Sequence, residues 1–276
     1  MASSVDTRFK VPAALKSHGP ARIIAMVNQK GGVGKTTSSI NLAAALAEYG
    51  RKVLVVDFDP QGAFTAGLGL VASDKANIHT LMVNDAQDPH EAIKPTGIPN
   101  LDLIPANIDL SGAEVQLVSV MGREHILNGI LQKVVDEYDV ILIDCQPSLG
   151  LLTVNALAAA HGVLVPVACE IFALRGVALL LETLEKVRLR KINETIKLDG
   201  IFATMYDART LHSREVLDAL KGAFKDDLLK TVISRTVKFP DSNSARRPIT
   251  EFASTSEGAE SYRALARELV ARGVTP

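Results

Sequence analysis

One apolar run that breaks into glycines and ends in lysine constrains this chain more than any other stretch. Ile23-Ile24-Ala25-Met26-Val27 leads through Asn28-Gln29 into Lys30-Gly31-Gly32-Val33-Gly34-Lys35-Thr36-Thr37, and an Ala/Leu-rich segment follows. A short apolar run reads as a buried strand, and the Ala/Leu pattern reads as a helix. Strand, glycine turn and helix start form the setting of a phosphate-binding loop. Glycines let backbone N–H groups curl around phosphate oxygens, and the helix that follows aims its positive dipole end at the same anion. In this pattern Lys35 reaches the β- and γ-phosphates, and the Thr36 hydroxyl serves Mg²⁺. The usual spacing G-x-x-x-x-G-K-[ST] would place a glycine at position 29, where this chain has Gln29. A second lysine, Lys30, stands at the front of the loop instead. Two lysines at one semi-buried site repel unless polyphosphate is present, so Lys30 is expected to face phosphate as well, its own or that of another subunit.

The rest of the chain supplies the partners such a loop needs. Lys52-Val-Leu-Val-Val-Asp57 is a second apolar strand, and strand, helix and strand in this span imply a right-handed parallel βαβ unit. It ends in Asp57-Phe58-Asp59-Pro60-Gln61-Gly62, with two carboxylates at the ligand end of a parallel strand. Asp139-Val-Ile-Leu-Ile-Asp144 has the Walker B form, four apolar residues closed by a metal-holding aspartate. Further strands are expected at 101–105, 162–167 (with Pro166 at its end), 198–205 and 228–233. Helices are expected at 35–49, 111–137 (divided at Gly122), 150–160, 176–190, 212–223 and 257–272. The 65–100 region carries only short helices and loops. At least seven strand-like runs alternating with helices predict an α/β fold, a mostly parallel central sheet flanked by helices.

Composition narrows the function. With 276 residues and 47% hydrophobic content, the chain can bury a single large core. A net charge of −1 removes any global nucleic-acid signature, so contact with DNA would need a local patch. Cys145 and Cys169, the two cysteines, lie in apolar runs and read as small buried hydrophobes of a reducing cytoplasm. No apolar run is long enough to span a membrane. Residues 1–21 read as a flexible, mildly basic arm, and 22–276 as one nucleotide-binding domain. The basic groups concentrate late in the chain. Arg235, Lys238, Arg246 and Arg247 fall within thirteen residues opposed only by Asp241. A second dense group, Lys186, Arg188, Arg190 and Lys191, closes a helix and also suits its C-terminal dipole.

Lys30 to Thr37 resembles the deviant Walker A motif of the ParA/MinD group of P-loop ATPases. Asp57 to Gly62 resembles that group's D-x-D-P-Q-G switch, although Ala63-Phe64 replaces a common Asn-Ala. Asp144-Cys-Gln-Pro-Ser148 resembles D-C-P-P-S with Gln146 for the first proline. Met205 to Thr210 resembles M-x-D-x-R-T, and Ile233 to Lys238 resembles I-P-R-N-V-R with Ser234, Thr236 and Lys238 substituted. The resemblance spans roughly residues 22–270 and implies ATP and Mg²⁺ as cofactors. It implies a loop of Lys30, Gly31, Gly32, Val33, Gly34, Lys35, Thr36 and Thr37 on the nucleotide, with Met205, Asp207 and Pro240 near its base and ribose. It implies metal support from Thr36, Asp59 and Asp144, and catalytic roles for Lys30, Lys35 and Asp59. It implies an ATP-dependent homodimer in which Lys30 crosses to the partner's nucleotide. Arg209, Arg235, Lys238, Arg246 and Arg247 would then meet DNA without reading sequence, and a ParB-type partner would trigger hydrolysis, in the cytoplasm at the nucleoid. The nearest alternative is a MinD-like ATPase, which needs an amphipathic terminal helix for membrane. An iron–sulfur reductase would need cysteines at a dimer axis.

Overall fold

The computed structural model describes residues 8–170 and 172–276. Eight strands form one sheet: β1 Arg22–Met26, β2 Val53–Phe58, β3 Lys94–Pro95, β4 Leu101–Ile104, β5 Val140–Cys145, β6 Gly162–Ala168, β7 Lys197–Tyr206 and β8 Leu228–Ser234. Their order is β3-β4-β2-β5-β1-β6-β7-β8, with every pairing parallel except β3 against β4. The antiparallel edge at 94–95 lies in the region expected to hold only helices and loops. It is two residues long, too short for a periodic signal. The sheet and its flanking helices match the α/β expectation.

Both faces of the sheet are covered, which is why the central strands are continuous apolar runs. Side chains alternate across the sheet. Ile23, Ala25, Leu54, Val56, Ile141 and Ile143 enter one core, while Ile24, Met26, Val53, Val55, Val140 and Leu142 enter the other. The first core is covered by helices including Leu151–Ala159, Ala173–Leu189 and Leu211–Phe224; the second by Lys35–Glu48 and Glu257–Ala271. Register then levels the functional strand ends. Asp57 pairs with Asp144, and Asp144 with Met26, so the loops after β2, β5 and β1 leave the sheet together.

Pro166 lies inside β6, two residues before its end at Ala168. Proline is normally excluded from a central strand because it lacks a ladder donor. Here β1 has already turned away: its last contact is the Val27 N–H to the Leu164 carbonyl, and the Pro166 carbonyl accepts from the Asn28 side chain instead. The missing N–H therefore faces the phosphate loop and not a neighbouring strand.

The arm also departs from expectation. Residues 1–7 lie outside the described residues, but 8–20 are fastened to the body although they form no helix or strand. Asp139 accepts from the Gly19 N–H and lies 2.7 Å from His18 Nδ1, while Arg51 donates to the Ala13 carbonyl and to Pro276. These partners are more than thirty residues away in sequence, so composition could not reveal them.

The edge strand β8 is sealed by a buried carboxylate. Glu268, fully buried, accepts from the Lys230 and Thr231 N–H groups at 2.7 and 2.8 Å, from the Thr231 hydroxyl, and from Arg272. Removing it orphans the buried Thr231 N–H and hydroxyl, while Arg272 keeps the Asp226 and Leu228 carbonyls. Glu268→Ala should cost about 3–5 kcal/mol in urea unfolding. A loss below about 1 kcal/mol would show that water replaces the carboxylate.

Candidate nucleotide site

The loop after β1 turns through two left-handed glycines, Gly32 at φ 75° and Gly34 at φ 86°. Gly34 caps the helix Lys35–Glu48, so a side chain there would be strained exactly where the backbone must point its N–H groups outward. Lys35 is buried, and its Nζ donates to the loop's own Lys30 carbonyl at 3.1 Å. Desolvation lowers its pKa, partly offset by Asp144. Lys30 lies at the rim, half-exposed, with its ammonium 2.5 Å from the Glu170 carboxylate.

Behind the loop are two buried carboxylates. Asp57 accepts from the Thr65 N–H at 2.9 Å and hydroxyl at 2.6 Å, which ties β2 to the short helix Ala63–Gly67. Asp144 accepts from the Ser39 hydroxyl at 2.7 Å. One oxygen of each, Asp57 Oδ1 and Asp144 Oδ2, is buried with no partner. Burial, reinforced by Asp144, pushes Asp57 up to about 7. Burial pushes Asp144 up to about 6, restrained by hydroxyls of Ser39 and Thr36 and by Lys35. The orphaned Asp144 oxygen, on a carboxylate that Thr36 reaches, offers with that hydroxyl hard oxygen donors of the kind that suit Mg²⁺. Asp57 and Asp59 do not act alike. The strand ends at Phe58, and Asp59 faces a cavity of about 260 Å³ shared with Gly31, Gly32, Lys35, Thr36, Thr37, Pro147 and Met205.

A second cavity, about 280 Å³, opens beside the first. Ile233, Phe239, Pro240, Met205 and Tyr262 give it apolar walls, and Gly34 and Thr37 join it to the phosphate loop. Phe239 and Tyr262 pack edge to face with centroids 5.7 Å apart. The Tyr262 hydroxyl lies 3.0 Å from that of Ser38, which couples the C-terminal helix to the loop helix. Met205 lines both cavities and holds a left-handed backbone, φ 52°, that a side chain rarely adopts.

The structure therefore gathers Gly31, Gly32, Gly34, Lys35, Thr36, Thr37, Asp59, Met205 and Pro240 on the linings of two adjoining cavities, with Val33 buried against Thr204 and Asp144 buried behind Thr36. Asp207 lies off both linings. Its carboxylate is taken by Arg209, at 2.8 and 2.9 Å, which with Arg235 holds it down to about 2. Arg235 lines the second cavity, and its N–H donates to the Tyr206 carbonyl, which brings it beside Arg209. Lys238 begins the short helix Lys238–Ser244. Arg246 has a left-handed backbone against Gly69, and Arg247 lies 3.5 Å from Glu251. All five cations are exposed. Ser39, Glu170, Tyr262, Phe239 and Asn243 were not singled out from sequence. Ser39 alone had a local signal, a hydroxyl one helical turn beyond Thr36. The others reach the site by long-range packing.

The AAA_31 family, described as an AAA domain, matches residues 21–198. An uncharacterized protein of Mycobacterium tuberculosis is 55% identical over 95% of this chain and 82% of its own length. The sporulation initiation inhibitor protein Soj of Bacillus subtilis is 47% identical over 91% of this chain and 99% of its own. A crystal structure titled cobyrinic acid a,c-diamide synthase from Mycobacterium smegmatis, with bound ATP analog and magnesium, is 40% identical. It covers 92% of this chain and 96% of its own, with a TM-score of 0.80.

Both folded carboxylates hold protons that an unfolded chain releases near pH 4. Without nucleotide or metal they therefore destabilise the fold above pH 7, and the penalty fades as pH falls toward 5. Asp57→Asn should raise stability at pH 8 by up to about 4 kcal/mol, keep less than half of that advantage at pH 5 and lose it below about pH 4. Thermal unfolding at the two pH values tests this, and an equal change at both would refute the charge argument.

Proposed function

The chain belongs to the ParA/Soj family of chromosome-partitioning ATPases, and from that premise we propose that it is a DNA-partitioning ATPase whose Mg-ATP state is a DNA-binding dimer. The observation that carries this reading is the meeting of Lys35, Thr36, Asp59 and Asp144 at one strand-end, next to an apolar cavity of base size. The triphosphate lies along Lys30 to Thr37, and the base enters between Phe239, Pro240 and Met205. Lys35 exchanges the Lys30 carbonyl for phosphate oxygens. Thr36 and Asp144 would hold magnesium, Asp144 through water; the ion neutralises phosphate charge when bound. Asp59 stands at the open side of the phosphate cavity, where it orients the attacking water.

Lys30 is the residue that links nucleotide to assembly. Its ammonium is at the rim, and a partner's phosphates compete with Glu170 for it. Two chains closing over two nucleotides bring both sets of Arg209, Arg235, Lys238, Arg246 and Arg247 onto one surface. Phosphate contact from both sets raises affinity by linkage, without reading bases. A ParB-type protein stimulates hydrolysis, which reopens the dimer and releases DNA. A MinD-like membrane cycle has less support. The apolar stripe of the helix Glu257–Ala271 is spent on the core, with Leu265 and Leu269 fully buried. No helix among the described residues is long and apolar enough to cross a membrane.

DNA binding measured with ATP, with ADP and without nucleotide, at two salt concentrations, tests the reading. Tight binding only with ATP, weakening steeply with salt, is expected. Equal binding in all three states would refute it. Two variants sharpen the test. Lys30→Ala should bind ATP yet stay monomeric in size exclusion, and a normal ATP-dependent dimer would remove Lys30 from the interface. Charge reversal at Arg235 and Lys238 should weaken binding uniformly across sequences and flatten the salt slope by about one to two. Unchanged binding would move the DNA surface elsewhere.

A further inference from the structure

The apolar cavity beside the loop has a small polar inventory, and most of it is already engaged. The Thr204 hydroxyl donates to the Val33 carbonyl at 2.8 Å, and the Ser234 hydroxyl to Glu257 at 3.2 Å. The Tyr262 hydroxyl is paired with Ser38, Glu170 with Lys30, and the Thr236 hydroxyl accepts from the Lys238 N–H. Three lining polar side chains remain without a hydrogen bond among the described residues: Thr37 at the phosphate-loop end, Arg235 and Asn243. Thr37 belongs to the phosphate end, and of the other two only Asn243 presents an acceptor and a donor side by side, in one planar amide.

Asn243 is also well placed to be rigid. It lies in the last turn of the helix Lys238–Ser244, whose backbone is fixed at both ends of that turn. The Asn243 carbonyl accepts from Arg246, and the neighbouring Ser242 hydroxyl donates to the Phe239 carbonyl. Phe239 and Pro240, on the same helix, form the apolar wall. A planar ring held against that wall would present its edge to the amide.

We propose that Asn243 is a specificity-determining residue that reads the purine edge, its Oδ1 accepting from the 6-amino group of adenine and its Nδ2 donating to the adjacent ring nitrogen. This deepens the ATP-binding reading above and rests on it. An amide pairs with a donor and an acceptor side by side, the arrangement both edges of adenine present next to N6. A 6-oxo purine turns a second acceptor toward Oδ1. A purine with hydrogen at position 6 leaves Oδ1 without its donor.

A double-mutant cycle tests this on the full-length chain. Binding of ATP and of purine riboside triphosphate, which lacks the 6-amino group, is measured by calorimetry for the wild type, Asn243→Ala and Asn243→Asp. In the wild type, loss of the amino group should weaken binding about 3- to 10-fold, the range for a neutral hydrogen bond. Asn243→Ala should bind the two nucleotides within about twofold of each other, because the partner is gone. Asn243→Asp keeps the acceptor and should retain the preference for ATP. It also guards against misfolding in the alanine variant. Equal sensitivity to the amino group in the wild type and Asn243→Ala would overturn the assignment. If the wild type bound neither nucleotide, the ATP reading itself would fall, and the assignment with it.

Discussion

Two carboxylates and one ammonium are buried together where β2, β5 and the phosphate loop leave the sheet, and the rest of the architecture makes their burial tolerable. Asp57, Asp144 and Lys35 are each largely removed from water. Each has its proton affinity shifted toward the neutral form by burial. Isolated charges cannot survive there, so each is given partial partners: Thr65 for Asp57, Ser39 for Asp144, the Lys30 carbonyl for Lys35. The partnership is incomplete by one oxygen on each acid. That incompleteness is the cost of a site built for a polyphosphate and a hard cation, whose charges complete the balance.

The sheet explains why these groups meet. A parallel sheet buried on both faces demands near-continuous apolar strands, and such strands are conspicuous in sequence. The runs at 23–27, 53–56 and 140–143 could be recognised for this reason, and the carboxylates that end two of them followed from their position. Pairing of Asp57 with Asp144 was not legible, because register between strands 87 residues apart is set by packing of the two cores. The same limit hid the second cavity. Tyr262 reads as one more residue of an apolar stripe, and its hydroxyl meets Ser38 across 224 positions. Glu170 reads as the approach to a helix, and only the fold brings it to Lys30.

Local chemistry set a second limit. Asp207 and Arg209 stand two residues apart in an exposed turn, where a bidentate pair closes on itself before either side chain can reach further. A motif assigns each residue a separate task; the geometry couples them. The arm shows the opposite error. Polar composition suggested a free tail, yet a single buried acid at the start of β5 collects the Gly19 and Lys52 N–H groups and faces His18. One well-placed acceptor can fasten such a segment, because a buried carboxylate gains from each donor that reaches it.

The C-terminal helix carries the most consequence for how the protein works. Its strong apolar stripe could equally have served a lipid surface, and pattern alone does not separate the two uses. In the fold the stripe packs on the helix Lys35–Glu48, and polar contacts fix the contact: Ser38 with Tyr262, Glu48 with Arg263, Tyr49 with Arg267. Helix Lys35–Glu48 begins at the phosphate loop, and Tyr262 walls the adjoining cavity. Displacing the C-terminal helix toward a membrane would open the second core, uncover the seal over β8 and dismantle the cavity at once. The helix is thus a structural part of the site, bound to the loop helix through Ser38 and walling the cavity through Tyr262.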